Sequence, residues 1–221
     1  MPRRAHEFRG LTQPNRLRLL RAIQRTPGRG AQELAESCGI ALNTVRDHLA
    51  VLEDEGLIRR ETVRTHTRGR PPIVFHPVSD AAATAAANAR VEGARGRGAL
   101  LRAVTDGGDT ARLGPEAALQ LDVLYEHLDD VGLEPDPGED PLQFDLAPCR
   151  FHELINAERS TVCALHARLV ADVLRQVDGP VMLARLEPFV TPHRCRLLLK
   201  LTDEARKRAE TAGDVGIALQ Q

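Results

Sequence analysis

The chain has few aromatic residues, almost no lysine and no long apolar run. Its 221 residues include five Phe, one Tyr and no Trp, so its cores must be built from Leu, Val and Ala. Few rings are available to stack on unpaired bases, which disfavours single-stranded RNA binding. No segment approaches the length of a membrane span. The basic start MPRRAHEFRG has no hydrophobic segment after it, so we predict no signal peptide, no membrane association and a cytoplasmic location.

The sequence also lacks the features of the common enzyme classes. It contains no recognisable oxyanion loop, glycine-rich phosphate loop or cofactor fingerprint. Cys163 with His166 or His193 could form a nucleophile–base pair, but no other residue pattern supports catalysis. The four cysteines do not indicate disulfides in a reducing cytoplasm. We therefore expect a protein that is not an enzyme.

The near-neutral total charge of −1 hides two parts of opposite sign. Residues 1–77 contain 14 basic and 8 acidic side chains, a balance of +6, and residues 78–221 contain 16 basic and 23 acidic ones, a balance of −7. A basic N-terminal part can lie along phosphates, whereas the acidic part should point away from a duplex. The asymmetry favours a nucleic-acid-binding domain joined to a separate regulatory part.

Residues 31–77 predict a helix-turn-helix followed by a hairpin. Leu34 and Cys38 form the inner face of one helix, and Gly39 provides the left-handed turn that ends it. The next helix has an apolar stripe and begins after Ala41, a poor cap. RGRPPIVFHP then predicts a basic hairpin tip closed by prolines, which suits insertion into a minor groove. Cys38 is expected to be a core residue.

A helix in the major groove and an arginine-tipped hairpin together indicate double-stranded DNA as the ligand. The predicted DNA contacts are polar residues early in the second of these helices and arginines of the hairpin: Asn43, Thr44, Arg46, Asp47, His48, Arg64, Arg68 and Arg70. The segment resembles the winged-helix repressors related to the arsenic- and multidrug-type (ArsR/MarR-like) bacterial regulators.

The predicted fold class is mainly α with α+β parts. We expect a winged helix-turn-helix domain (1–78), a linker and dimerisation helix (79–114), a cysteine-containing regulatory domain (115–201) and a polar tail (202–221). The regulatory domain reads as a small α/β unit with an antiparallel sheet. Its predicted elements are a strand (142–146), a loop with a short helix (149–156), a longer helix (162–177) and two strands (181–186 and 194–201).

Three cysteines of the regulatory domain are predicted at the ends of elements. Cys149 follows a strand, Cys163 begins a helix and Cys195 begins the last strand, and none is expected in a run of core residues. Ligands often converge at element ends, and a thiol at a helix N-terminus ionises more easily. The residues alone leave three interpretations open: an iron–sulfur site, a zinc site with three Cys and one His, and cysteines that are ordinary small core residues.

APCRFHELINAERSTVCALHARLVADVL followed by LEPFVTPHRCRLLL resembles the regulatory domain of SufR-type repressors. Together with the winged helix, the likeness covers residues 12–78 and about 120–201. It implies that Cys149, Cys163 and Cys195 hold an iron–sulfur cluster, 4Fe–4S rather than 2Fe–2S, and that a homodimer represses genes according to iron, redox or cluster status.

A cubane cluster usually takes four protein thiolates, and this domain has only three. His166 is the first choice for the remaining ligand because it lies one helical turn from Cys163, followed by His152, His193 or a small exogenous molecule. The alternative functions are a winged-helix repressor with a structural or sensory zinc site, or one that responds to a small organic ligand without metal.

Overall fold

The structure is a computed structural model that describes residues 11, 13–64, 71–104, 113–137, 139–147 and 152–207. In these ranges the chain combines an N-terminal helix-turn-helix with further helices and two antiparallel sheets. This confirms the predicted fold class. We call residues 11–77 the winged-helix domain and residues 115–201 the C-terminal unit. The predicted division of the chain into four segments remains a prediction.

The winged-helix domain alternates helices with short strands. Its elements are α1 (Pro14–Arg25), β1 (Arg29–Gly30), α2 (Ala31–Cys38), α3 (Leu42–Asp54), β2 (Ile58–Thr62) and β3 (Ile73–Pro77). The central strand β3 pairs antiparallel with both β1 and β2. The sequence does not predict β1, because two residues are too short to show an alternating pattern.

The turn between α2 and α3 follows from a few local residues. Gly39 has a φ of +65°, so the predicted left-handed turn is confirmed, and a residue without Cβ adopts it at low cost. At the other end of α2, the backbone N–H of Gly30 donates to Oε2 of Glu33 at 2.8 Å. Helix α3 begins after Ala41 without a side-chain cap, as predicted. The tight turn fixes α3 across α2.

The rest of the chain forms helices packed on a second sheet. A 3-10 turn (Ala81–Ala83) leads into α4 (Ala85–Val104), α5 (Pro115–Asp130), β4 (Pro135–Pro137), β5 (Gln143–Leu146), α6 (His152–Leu174), β6 (Val181–Thr191) and β7 (Arg194–Leu201). The strand order is β4-β5-β7-β6, and each neighbouring pair is antiparallel. The predicted antiparallel sheet backed by helices is confirmed.

Helix α4 packs on α5 through a face of small side chains. Ala87, Val91 and Ala94 are buried, and a Cβ at Gly98 would run into the carboxylate of Asp122. Gly98 therefore allows close contact with α5, and the helix is continuous from Ala85 to Val104 despite its glycines. This contact is within one chain.

Three local predictions for the C-terminal unit are wrong. The segment predicted as a short helix and a separate longer helix is one helix, α6, so Cys163 lies in its middle rather than at its beginning. The longer helix, predicted to run to residue 177, ends at Leu174. Cys195 lies in the apolar core, with Leu197 and Leu199 on the same buried face of β7, because a period of two turns all three inward.

The two folded parts share a continuous apolar core, and α1 contacts α6 directly. Among the described residues, no helix is both long and apolar enough to cross a membrane.

Candidate DNA-binding surface and cysteine site

Helix α3 presents the polar residues predicted to contact DNA. Its inner face buries Val45, Leu49 and Leu52, so the remaining side chains point away from the core. Five of the predicted contacts lie on this helix: Asn43, Arg46 and Asp47 are exposed, and Thr44 and His48 are half-buried. Nη1 of Arg46 donates to Oδ1 of Asn43 at 3.3 Å. Donors and acceptors are thus grouped on one surface, as base and phosphate recognition requires.

His48 lies at the margin of this surface, against α1. Its pKa is lowered mainly by burial and also by the positive charge of Arg16, while Asp47 acts in the opposite direction. The imidazole is therefore neutral at physiological pH and offers one donor and one acceptor.

Strands β2 and β3 form the base of the predicted wing. Their register runs from Ile58 opposite Pro77 to Thr62 opposite Ile73, and the N–H of Val63 donates to the Pro72 carbonyl at 2.9 Å. Arg64 is exposed just beyond this last bond. Arg68 and Arg70 lie outside the described residues, so their predicted roles remain predictions.

Other arginines of the wing are engaged in ion pairs. Nη1 of Arg59 lies 2.7 Å from Oε2 of Glu61, and Nε of Arg60 lies 3.0 Å from Oε1 of Glu53. These carboxylates partly neutralise the strand, which leaves Arg46 and Arg64 as the clearer candidates for phosphate contacts.

The structure describes two of the three cysteines assigned to the cluster. Cys163 is half-buried on α6, Cys195 is buried on β7, and neither is in a disulfide. Cys149 lies outside the described residues. Within the described ranges, no three His, Cys, Asp or Glu side chains form a group that could hold a metal ion. The cluster ligands therefore remain predictions.

Cys163 and Cys195 are both remote from the turn that joins α6 to β6. Leu174, at the end of α6, is linked to Val181, at the start of β6, through the side chain of Gln120, and Val181 pairs with Leu201. Cys163 is eleven residues back along the helix, about 16 Å, and Cys195 is six residues back along β7, about 20 Å. Along the backbone, the two residues are thus at similar distances from this turn.

The register of the sheet gives a further relation between the cysteines. Cys195 is the Cα partner of Leu146 at the end of β5. Cys149 is three positions after Leu146 in the sequence. Thiolates are a ligand type suited to iron–sulfur clusters and zinc, so the three cysteines remain the predicted ligands.

His166, the first choice for a fourth ligand, is buried on α6. Burial lowers its pKa to about 4, so the imidazole is neutral, the form that binds metals. The mid-helix position of Cys163 removes the helix N-terminus as a cause of easier ionisation of its thiol. His152 lies in α6 and His193 between β6 and β7, and their ligand roles stay untested.

Sequence reasoning misses a second buried histidine and a polar stripe on α6. His127 is fully buried within the apolar face of α5, and neither ring nitrogen has a hydrogen-bond partner among the residues that the structure describes. Burial, together with the charges of Arg90 and His166, holds its pKa well below 6.5. The polar stripe is formed by Arg168 and Asp172 on α6 and by Gln176 in the turn after it, and their spacing of four residues is the signal that could have identified it.

A family model described as a helix-turn-helix domain matches residues 11–61. The match covers α1 to β2, which include the surface described above. No curated protein and no solved structure matches the chain. The chain is thus a DNA-binding transcriptional regulator with an N-terminal winged helix-turn-helix domain.

Proposed function

We propose that this protein is a cytoplasmic, homodimeric repressor whose affinity for operator DNA depends on an iron–sulfur cluster. Cys149, Cys163 and Cys195 would hold the cluster, with His166 as an additional ligand. The observation that carries the proposal is the arrangement of the C-terminal unit. Cys163 and Cys195 are both remote in sequence from the turn between α6 and β6, and Cys149 is three positions after Leu146, the strand residue that pairs with Cys195.

The DNA-binding part of the proposal is supported by the exposed face of α3. Asn43, Arg46 and Asp47 project from a helix whose other face is anchored in the core. Two copies of this helix must lie about 34 Å apart to enter successive major grooves. A homodimer would therefore respond to small changes in the body that joins its two winged-helix domains.

Arg46→Ala tests the DNA surface. We expect about five- to tenfold weaker binding to a duplex selected by the wild-type protein from a random-sequence pool, and a salt slope reduced by about 1. The matched control is Arg185→Ala, since Arg185 pairs with Glu187 on its own strand, Nη2 to Oε1 at 2.6 Å. Equal affinity of the Arg46 variant and the wild type would show that α3 does not enter the groove.

The regulatory part depends on three elements meeting at one site. An iron–sulfur cluster would supply a link between them that responds to oxidants and to iron supply. The chain contributes thiols from α6 and β7, a third thiol after β5, and the neutral His166 imidazole. Removing the link would release α6 from β7 at the end remote from the turn between α6 and β6.

Cysteine substitutions with metal analysis test the site. In protein prepared without oxygen, Cys163→Ser and Cys195→Ser should each remove most of the bound iron and sulfide. Cys38→Ser should retain both, because Cys38 packs against the winged-helix core, with its thiol 3.9 Å from the Arg18 carbonyl. Stoichiometric zinc without sulfide in the wild type would indicate the alternative, a zinc site. Protein without any metal would leave a regulator controlled by an organic ligand.

A further inference from the structure

Helix α6 and the turn after it contact the winged-helix domain through polar residues that lie four apart. Arg168 and Asp172 lie one turn apart on the helix, Gln176 lies in the turn just past its last residue, Leu174, and α6 also packs against α1. Cys163 is five residues before Arg168, about 140° around an ideal helix. The cysteine and the stripe thus lie on opposite margins of the buried face.

The first contact is at the end of α1. Nη1 of Arg168 donates to the backbone carbonyl of Gln24 at 3.0 Å. Gln24 is in the last turn of α1, where carbonyls have no partner within the helix and carry partial negative charge. A guanidinium supplied from 144 residues away in sequence therefore caps the C-terminus of α1.

The second contact lies one turn further along α6. Asp172 is buried beside Gln24, whose side-chain amide is also buried but has no partner of regular hydrogen-bond geometry within the described ranges. Burial raises the pKa of Asp172, and the neighbouring Arg175, Arg168 and Gln24 partly offset this effect. Arg175, which directly follows α6, forms an ion pair with the Asp172 carboxylate. Polar groups of both domains thus share a small buried volume.

The third contact reaches the chain as it leaves the wing. Nε2 of Gln176 donates to the Val78 carbonyl at 3.3 Å, and its Oε1 accepts from Nη1 of Arg90 at 3.3 Å. Val78 directly follows β3, and its own N–H donates to the Leu57 carbonyl at 3.3 Å. Gln176 therefore ties the exit of the wing to both α6 and α4.

We propose that α6 transmits the state of the cysteine site to the winged-helix domain through Arg168, Asp172 and Gln176. A rotation or shift of α6 would move the cap of α1 and the exit of β3 together, and so change the direction in which α3 points. This transmission rests on the function proposed above. The stabilisation of the end of α1 by α6 does not. Each contact joins elements that are far apart in sequence, so the stripe couples the domains within a single chain.

Hydrogen exchange of the Arg168→Ala variant tests whether Arg168 stabilises the C-terminus of α1. Arg168 is exposed, so the variant should fold. Loss of a charged hydrogen bond at the end of α1 should speed exchange of the amides of residues 20–26 by about threefold to tenfold. Arg185→Ala is the control and should leave these amides unchanged. Arg168→Lys, which keeps the charge at the helix end, should restore much of the protection. Unchanged exchange in Arg168→Ala would overturn the proposal.

DNA binding of the same variants tests the transmission. The probe is full-length protein loaded with iron and sulfide without oxygen, compared with the same protein after iron removal. The affinity ratio between the two forms should be at least threefold smaller in Arg168→Ala than in the wild type and in Arg185→Ala. An equal ratio in all three proteins would contradict transmission through α6. If the wild type takes up no iron, the proposed cluster function and the transmission both fail. The exchange measurement would still decide whether α6 stabilises the end of α1.

Discussion

The interiors of the winged-helix domain and the C-terminal unit are built differently. The first buries Leu20, Leu34 and Val45 fully and, among its described residues, two polar side chains, Arg16 and Gln24. The second, with α4 against it, also buries polar side chains: Arg90, Gln120, Glu126, His127, His166, Asp172 and Gln176. Burying polar groups costs free energy unless they are well partnered. The comparison indicates that the winged-helix domain is a stable scaffold, whereas the C-terminal unit depends on a few polar contacts.

The largest effect should come from Gln120. Its side-chain amide donates to the Leu174 carbonyl at 2.7 Å and accepts from the Val181 N–H at 2.6 Å, and Gly179 leaves room for it. We expect Gln120→Ala to lower the free energy of unfolding by about 3 kcal/mol, since it leaves buried backbone groups without partners. Chemical denaturation measures this quantity.

Gln32→Ala is the matched change in the winged-helix domain. Gln32 donates only to Glu36 one turn away on the exposed side of α2, at 2.8 Å, so the cost should be below about 0.5 kcal/mol. Similar decreases in the free energy of unfolding for the two glutamine variants would contradict the proposed difference between the two parts.

The second effect is a loss of stability in acid. Burial lowers the folded-state pKa of His166 from 6.5 to about 4 and that of His127 well below 6.5, so the unfolded chain binds protons first. In metal-free protein, the stability that these histidines contribute is complete above pH 6.5. It should fall as the pH drops from 6.5 toward 4, by about 3 kcal/mol for His166 alone.

His127→Leu should make this slope shallower, because leucine has no proton to bind. Unfolding free energies measured between pH 7 and pH 4.5 give the slope for each protein. A variant with the same slope as the wild type would contradict the assignment of His127 as a neutral buried group.

The smallest effect concerns the junction of the two parts. Gly56 has a φ of +67°, and an added Cβ would lie 2.9 Å from Cβ of Ala86 in α4. Gly39 has a similar φ of +65°, with nothing within 4 Å of such a Cβ. We expect Gly39→Ala to cost about 1 kcal/mol for its backbone and Gly56→Ala about 1 to 2 kcal/mol more, from crowding against α4. Thermal unfolding of both variants checks the difference. Equal losses of stability would mean that α4 can move away from position 56 without a loss of free energy.

The winged-helix domain could be predicted from sequence because its signals are local. Gly39, the stripe of Val45, Leu49 and Leu52, and the prolines before β3 each fix structure within a few residues. The exposure of Asn43, Arg46 and Asp47 then follows from the helical period. The division at residue 78 and the predicted roles of Arg68 and Arg70 stay predictions.

The C-terminal unit was harder to predict because its determinants are distant in sequence. The apolar positions of α6 indicate a helix after Cys163. The residues between His152 and Cys163 are more polar, so the sequence did not predict that the helix begins at His152. Cys195 looked exposed at a strand end, yet the pairing of β7 with β5 and β6 buries it. The contact of Arg168 with Gln24 joins positions 144 residues apart, so no local sequence pattern predicts it. Whether the cysteines bind a cluster is decided by chemistry that residue spacing does not specify.

The most direct test of the account measures DNA affinity and cluster content on the same sample. Protein prepared without oxygen should contain iron and sulfide, bind its selected duplex, and lose at least about tenfold in affinity when air exposure removes the cluster, a change within the usual range of allosteric coupling. Cys163→Ser should bind as the air-exposed protein does, with or without oxygen. A wild-type protein free of iron, whose affinity is the same before and after air exposure and equal to that of Cys163→Ser, would contradict the account.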